Sequence, residues 1–353
     1  MRSFLSDVFS VGISKVLIIS FSLVTSVIIA RVLGPENNGT IATLLVYPSL
    51  FMTIGSLGIR QSTTFFLGKK IYTEEEIKRT ITQIWVVSSF SSVVICFFLI
   101  RFFTNSGNDL LLVILAVIPI PFSLYNTYNT GIFLGKNDIR SFNQINWLPP
   151  LIIMVTTIFL VMFVPMGISG YLIAIICGQF LIFLYLFFKD DFIKNFSLKV
   201  NWTILKRMLG LGILYAFSLL IINLNYKVDV ILLDIFEQKQ QSGIYFRGVS
   251  IIEYLWQIPM LLSTIVFARS AISKDGKLFS LKLMKLLRLS IIAIATSSIL
   301  LFLLSEFIII NLFGEDFRES IDVLKILLPG VLLLTVFKTL NMDLAGKGNP
   351  LIS

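Results

Sequence analysis

Charged side chains set inside otherwise apolar runs are the residues of this chain best placed to do chemistry. Lys227, Asp229 and Asp234 interrupt one such run, and Arg247 and Glu253 interrupt the next. Lys227 and Asp234 are seven apart and share a helix face, whereas Asp229 lies on another. At the rise of an α-helix, Asp229 stands roughly 10 Å and Arg247 roughly 6 Å inside the nearer end of their runs, so a cross-helix Asp229–Arg247 pair is expected at matched depth. The pair would either brace two helices or meet a charged ligand or coupling ion, and the sequence leaves both open. Glu253 is deeper, roughly 15 Å in by the same rise. A carboxylate there takes a proton, faces water or finds a cation, so Asp229 and Glu253 are the candidates for H+ or Na+ coupling. Lys15, Arg60 and Lys338 lie near the opposite ends of their runs. Their long stems either snorkel to a polar boundary or form a ring that receives an anion. Tyr125-Asn126-Thr127-Tyr128-Asn129-Thr130 is six polar or amphipathic residues in a row. They cannot all face hydrocarbon; Tyr125, Asn126, Tyr128 and Asn129 either line a polar path or bond a neighbouring helix.

The rest of the composition narrows the chemistry. Of 353 residues, 56% are apolar and 14% charged, against about a quarter charged in soluble domains. There is no His, and the two cysteines, Cys96 and Cys177, lie inside apolar runs. Neither a metal site, a disulfide framework nor a cofactor is expected. No Gly-rich phosphate loop encodes an ATP-driven motor. No loop is long enough for a catalytic domain, so an enzyme is not expected. The net charge of +9 does not call for nucleic acid, because the basic residues sit in short loops between apolar runs.

Elements that position these residues follow from the runs themselves. About twenty apolar residues cross a bilayer as a helix. Ten runs qualify: 8–33, 40–67, 81–103, 110–134, 146–165, 167–188, 208–236, 243–268, 289–313 and 321–345. Pro119, Pro121, Pro149, Pro150 and Pro259 predict kinks. Lys and Arg crowd alternate loops, which places the N-terminus and the loops around Lys70, Lys136, Lys199 and Lys277 in the cytoplasm of a multi-pass inner-membrane protein. Thr73 followed by Glu74-Glu75-Glu76 predicts the cap of a short cytoplasmic helix, and Glu315 to Asp322 a solvated outer loop. The basic stretch 189–207 reads as a linker between an N-terminal lobe, 1–188, and a C-terminal lobe, 208–353. The connections Ala30–Gly39 and Asp234–Gly243 are each ten residues ending in Gly, a faint repeat consistent with two lobes. The second lobe then has four spans against six in the first. The chain stops at Lys347-Gly348-Asn349-Pro350, where an eleventh span is expected, so a truncated chain is the expectation.

Four motifs lie in order along the chain. They are Ala30-Arg31-Val32-Leu33-Gly34-Pro35 with Gly39; Gly131-Ile132-Phe133-Leu134-Gly135-Lys136 with Asn143; Lys227-Val228-Asp229 with Gly243-Ile244-Tyr245; and Leu312-Phe313-Gly314 with Asp316-Phe317 and Leu327-Leu328-Pro329. Together they resemble the polysaccharide or O-antigen flippases (Wzx-type) of the multidrug/oligosaccharidyl-lipid/polysaccharide (MOP) exporter superfamily, whose members usually have twelve or more spans. The resemblance implies an all-α, MATE-like bundle of two lobes around a cavity that opens alternately to each face. It also implies a bilayer-borne substrate, an oligosaccharide on an undecaprenyl-pyrophosphate carrier. On that reading Lys15, Arg60, Lys227, Arg247 and Lys338 handle pyrophosphate, and Tyr125 and Tyr128 suit stacking on sugar rings. Interior charges of spans one to six are Lys15, Arg60 and Arg101, all basic, which favours an anionic substrate over the cations of a drug exporter. A lipid II-type flippase and a membrane-embedded polysaccharide polymerase are the other readings.

Overall fold

The computed structural model describes residues 4–189, 199–236, 239–272 and 276–346, with side chains over 10–341 apart from 190–198, 237–238, 258–280 and 282. All regular structure among them is helical. The chain divides into two compact units, Met1–Ser242 and Gly243–Ser353.

The first unit opens with α1, Phe4–Gly55, which holds two spans. They are separated by one non-helical residue, Gly34, at φ 72 and ψ 175. Only glycine enters that region without a steric penalty, and Pro35 restarts the helix where a missing N–H does no harm. The sequence-derived span 40–67 is not one helix. It breaks at Leu57 (φ 47) and Gly58 (φ 61) and resumes as α2, Ile59–Gly68. α3, Glu74–Phe103, starts from a capping box: the Glu76 N–H donates to the Thr73 hydroxyl at 3.3 Å, and Glu76 accepts the Thr73 N–H at 2.9 Å. The acidic triplet therefore caps the third span itself, not the short separate helix expected from the sequence.

α4, Leu110–Val117, and α5, Pro119–Gly135, form the fourth span, interrupted at Pro119 as expected. α6, Ile139–Thr157, starts about two turns earlier than the apolar run suggests, so Pro149 and Pro150 lie within the helix and not at its start. It ends in a π-helical turn, Ile158–Phe163. α7, Gly167–Lys189, and α8, Trp202–Phe236, complete the unit. The second unit contains most of α9, Lys239–Ile272, then α10, Gly276–Leu303, α11, Ser305–Phe313, and α12, Ser320–Gly346. Each of the ten sequence-derived spans thus has its helical counterpart.

Two cores hold the first unit. One gathers Ile59, Ile77, Ile81, Tyr128, Leu186 and Met208. The other gathers Leu44, Cys96, Ile100, Val113, Ile120 and Leu124. Large apolar residues on the outer helix faces are left bare by the protein, among them Phe90 (73% exposed), Phe163 (73%) and Leu214 (70%). In water these would be untenable in such numbers; in a bilayer, lipid covers them. Together with the length and apolarity of the helices, this makes the chain a multi-pass membrane protein.

Glycines set the closest approaches, as expected where no hydrophobic force draws helices together inside lipid. A Cβ on Gly58 would lie 2.0 Å from the Gly212 carbonyl oxygen, and one on Gly212 would lie 2.4 Å from the Leu57 oxygen, so α8 touches the α1–α2 break backbone to backbone. On α5, Gly131 admits the Arg60 backbone of α2, and Gly135 the Leu67 side chain. At the end bearing the basic loops, Glu74 accepts ion pairs from both Lys78 and Lys136 at 2.9 Å, joining α3 to the end of α5.

Candidate functional site

The break at Leu57–Gly58 decides where Arg60 goes. It starts α2 in a new direction, and Gly131 lets the Arg60 backbone lie directly on α5, where a Cβ would come within 2.7 Å of the Arg60 oxygen. Thr64 fastens the same contact, its hydroxyl donating to the Gly131 carbonyl at 3.2 Å. The half-buried Arg60 guanidinium then lies over the Phe142 ring of α6, 5.4 Å from its centroid. That is a favourable cation–π placement. Next to Phe142, the Asn143 amide donates to the Ser10 hydroxyl of α1 at 2.8 Å, with Ser14 in a long 3.5 Å contact to the Asn143 carbonyl. This ties the start of α1 to α6 and brings Lys15 within electrostatic range of Arg60.

The result is a pair of half-buried like charges. Among the described residues, no carboxylate lies within ion-pair distance of Lys15 or Arg60. Two like charges in partly desolvated surroundings repel each other, and burial penalises each of them further. Sequence reasoning named both cations but not the residues that place them. Phe142 carries no motif of its own, and Ser10 and Ser14 look like any polar residues near a span's end. Asn143 was visible only as the companion of the Gly131–Gly135 motif.

Tyr125, Asn126, Tyr128 and Asn129 are all buried between helices. Tyr128 donates to the Gly55 carbonyl at 2.7 Å and meets the Ser88 hydroxyl at 3.0 Å. The Asn126 amide donates to the Gln179 backbone and side-chain oxygens, each at 3.1 Å. Tyr125 packs edge-on against Trp85 and Phe183. The motif therefore joins α5 to α1, α3 and α7. Tyr128→Phe is expected to lower stability by about 1–2 kcal/mol, because two buried partners lose their bond. Thermal unfolding in detergent, measured beside transport, checks this; unchanged stability with lost transport would place Tyr128 on the substrate path instead.

The remaining candidates are distributed between the two units. Lys227 and Asp229 are half-buried on α8 in the first, where Asp229 accepts the Val230 N–H at 2.8 Å. Arg247, Glu253 and Lys338 belong to the second. Arg247 is buried, its guanidinium over the Phe246 and Phe313 rings at 5.3 and 5.7 Å. Gly248 lets α9 press on α12, where a Cβ would lie 2.8 Å from Val323 Cβ. Glu253 is half-buried on α9 and Lys338 buried on α12. Asp229 and Arg247 thus stand in different units, and their pairing is an expectation of the sequence alone. A groove of about 440 Å³ between α1, α3 and α8 is lined mainly by apolar residues, including Phe51, Val87, Trp202 and Leu209. Such a lining suits hydrocarbon, not sugar. No group of three metal-ligating side chains occurs among the described residues.

Comparison with known structures places the fold. A multidrug resistance MATE family transporter of the MOP superfamily, in an inward-facing conformation, superposes with a TM-score of 0.76 over 94% of this chain and 81% of its own, at 14% identity. The lipid II flippase MurJ, inward closed, gives 0.77 over 97% and 77%, at 16% identity. A MOP superfamily transporter from Pyrococcus furiosus Vc1 gives 0.68 over 98% and 83%, at 13% identity. No curated protein sequence matches the chain. The helical order seen here is thus that of the MOP exporters, and since the model of the polysaccharide biosynthesis protein family matches residues 4–269, the chain belongs to that family.

Proposed function

We propose that this protein moves a lipid-linked oligosaccharide across the bacterial cytoplasmic membrane by alternating access, with its N-terminus in the cytoplasm. The carrying observation is the pair Lys15 and Arg60: two half-buried cations within electrostatic range of each other, with no carboxylate at ion-pair distance among the described residues. The barrier to such transport is the passage of a charged, hydroxyl-rich head group through hydrocarbon, and no covalent bond need change. A pyrophosphate-bearing head group arriving at the pocket would replace the repulsion between Lys15 and Arg60 with two charge-assisted contacts. Arg60 supplies a planar fork held over Phe142, and Lys15 supplies a mobile point charge. The polyprenyl tail stays in the bilayer throughout, so only the head group needs a protein path. Membership of a polysaccharide biosynthesis family agrees with a glycan cargo. The basic pocket disfavours the cationic drugs of an exporter.

Reconstitution tests the reading. Proteoliposomes carrying the purified chain should translocate an undecaprenyl-pyrophosphate oligosaccharide at least about tenfold faster than empty vesicles, one decade corresponding to about 1.4 kcal/mol of barrier. Translocation of a cationic dye with no movement of the lipid-linked sugar would overturn it.

A further inference from the structure

The end of α8 opposite the basic loops buries a carboxylate that the transport pocket does not use. Asp234 lies within the last turn of α8 and is 3% exposed. Its backbone carbonyl accepts the Asn105 amide at 2.5 Å, from the short turn Asn105–Asn108 that follows α3. The Thr43 hydroxyl of α1 stands near its carboxyl. The second carboxyl oxygen, Oδ2, is buried with no hydrogen-bond partner. Three elements thus meet at one acid: α8, the second span within α1, and the turn after α3.

Counting hydrogens shows what this arrangement lacks. The Thr43 oxygen lies 3.2 Å from the Thr40 carbonyl and 2.8 Å from the Ser106 hydroxyl, besides the Asp234 carboxyl. Thr43 has one hydrogen to give. An ionised Asp234 can only accept, and its Oδ2 would stay buried, charged and unbonded. Such a group is costly in a dry site. One added proton removes that buried charge. A protonated Asp234 donates to Thr43, and Thr43 donates to the Thr40 carbonyl.

Nearby charge does not substitute for the proton. Lys239, at the start of α9, acts on Asp234 from a distance without an ion pair. Tyr47 of α1 faces the acid as a second weak acid. Arg101 of α3 is engaged with the Gly107 carbonyl at 2.7 Å. Asn105 meets the backbone of Asp234 and not its carboxyl.

We propose that Asp234 is a proton-binding site whose proton holds this end of α8 against α1 and the Asn105–Asn108 turn, and whose loss releases it. Removing the proton leaves a buried charge with one hydroxyl for company, and the charge is relieved by moving to water. Proton occupancy would then set whether this end of the first unit is sealed. The binding of the proton is independent of the cargo; its use in driving transport rests on the reading above.

Hydrogen–deuterium exchange of the full chain in lipid nanodiscs tests it. Segments 40–47 and 230–236 are followed from mildly acidic to mildly alkaline pH and corrected for intrinsic exchange. Stability supplied by a bound proton is present at low pH and lost as pH rises. Protection of both segments should therefore fall about tenfold per pH unit once Asp234 titrates. Asp234→Asn, neutral at every pH, should remove that dependence while keeping the protection. A pH dependence that persists in Asp234→Asn overturns the proposal, as does protection restored by sodium at constant alkaline pH. Should Asp234→Asn fail to fold, infrared spectra decide. The wild type at neutral pH must then show a buried protonated carboxyl band that shrinks in Asp234→Glu relative to the other acids, and an unchanged band overturns the assignment. Failure of oligosaccharide translocation in vesicles with this pH response intact would count against the cargo and not against the site.

Discussion

Gly58→Ala should be the most damaging single methyl in the first unit. The residue stands at φ 61, where a side chain adds roughly 1–2 kcal/mol of strain. Its Cβ would also meet the Gly212 oxygen at 2.0 Å, and backbone cannot swing aside as a long side chain does. Overpacking of this kind adds about 1–3 kcal/mol, so a total near 2–5 kcal/mol is expected. Gly212→Ala meets the same contact from the α8 side, without the dihedral strain, and should fall between Gly58→Ala and the wild type. Gly210→Ala is the control: nothing lies within 4 Å of its Cβ, and alanine favours the helix. Thermal unfolding of the three variants in detergent should rank them in that order. Equal stability of Gly58→Ala and Gly210→Ala would show that α8 and the α1–α2 break are not in backbone contact.

Removing either cation of the pocket should leave the fold intact and slow the cargo. Lys15→Ala and Arg60→Ala each remove one charge-assisted contact to pyrophosphate, about 1.5–3 kcal/mol, which is roughly a tenfold to hundredfold loss of initial rate in the vesicle assay. Melting temperature should hold or rise, because the remaining cation no longer feels a like charge. The double variant should lose more rate than either single variant. Arg60→Lys keeps the charge but loses the planar fork over Phe142, and an intermediate rate is expected. A large fall in melting temperature for either single variant, with transport retained, would make the pair a structural feature and remove the ground for an anionic cargo.

Apolar length sufficed for the helical plan, because a bilayer allows few alternatives to a hydrogen-bonded helix. The Pro119 interruption was legible for the same reason: a missing N–H and a ring clash are properties of the residue itself. The break at Leu57–Gly58 was not. Leu57 takes a left-handed conformation that its own chemistry disfavours, and what sustains it is the close approach of α8, a contact far away in sequence. The pocket shows the same division. Lys15 and Arg60 announce themselves as charges in apolar surroundings. Phe142 becomes a functional candidate only through α6, which brings it to Arg60, and Ser10 only through its bond to Asn143. Asp234 was visible as an acid in span seven, but its burial depends on Thr43 and Asn105, which no local pattern links to it. The acidic triplet after Thr73 was read correctly as a cap and attached to the wrong helix, since nothing in a capping box states how long its helix will run.

The π-helical turn Ile158–Phe163 has a consequence for how this chain can change over generations. A π-turn is what remains when one residue is inserted into an established α-helix: the extra residue is absorbed locally as a wider loop of backbone. The converse is a deletion. Losing one residue between 158 and 163 would restore ordinary winding and leave the register of α6 and of α7 on either side undisturbed. The same deletion in the middle of α3 or α8 would turn every later side chain about 100° around its axis and carry lipid-facing residues into the cores. Length variation among descendants of this sequence should therefore collect at 158–163, even though that segment lies inside a membrane span.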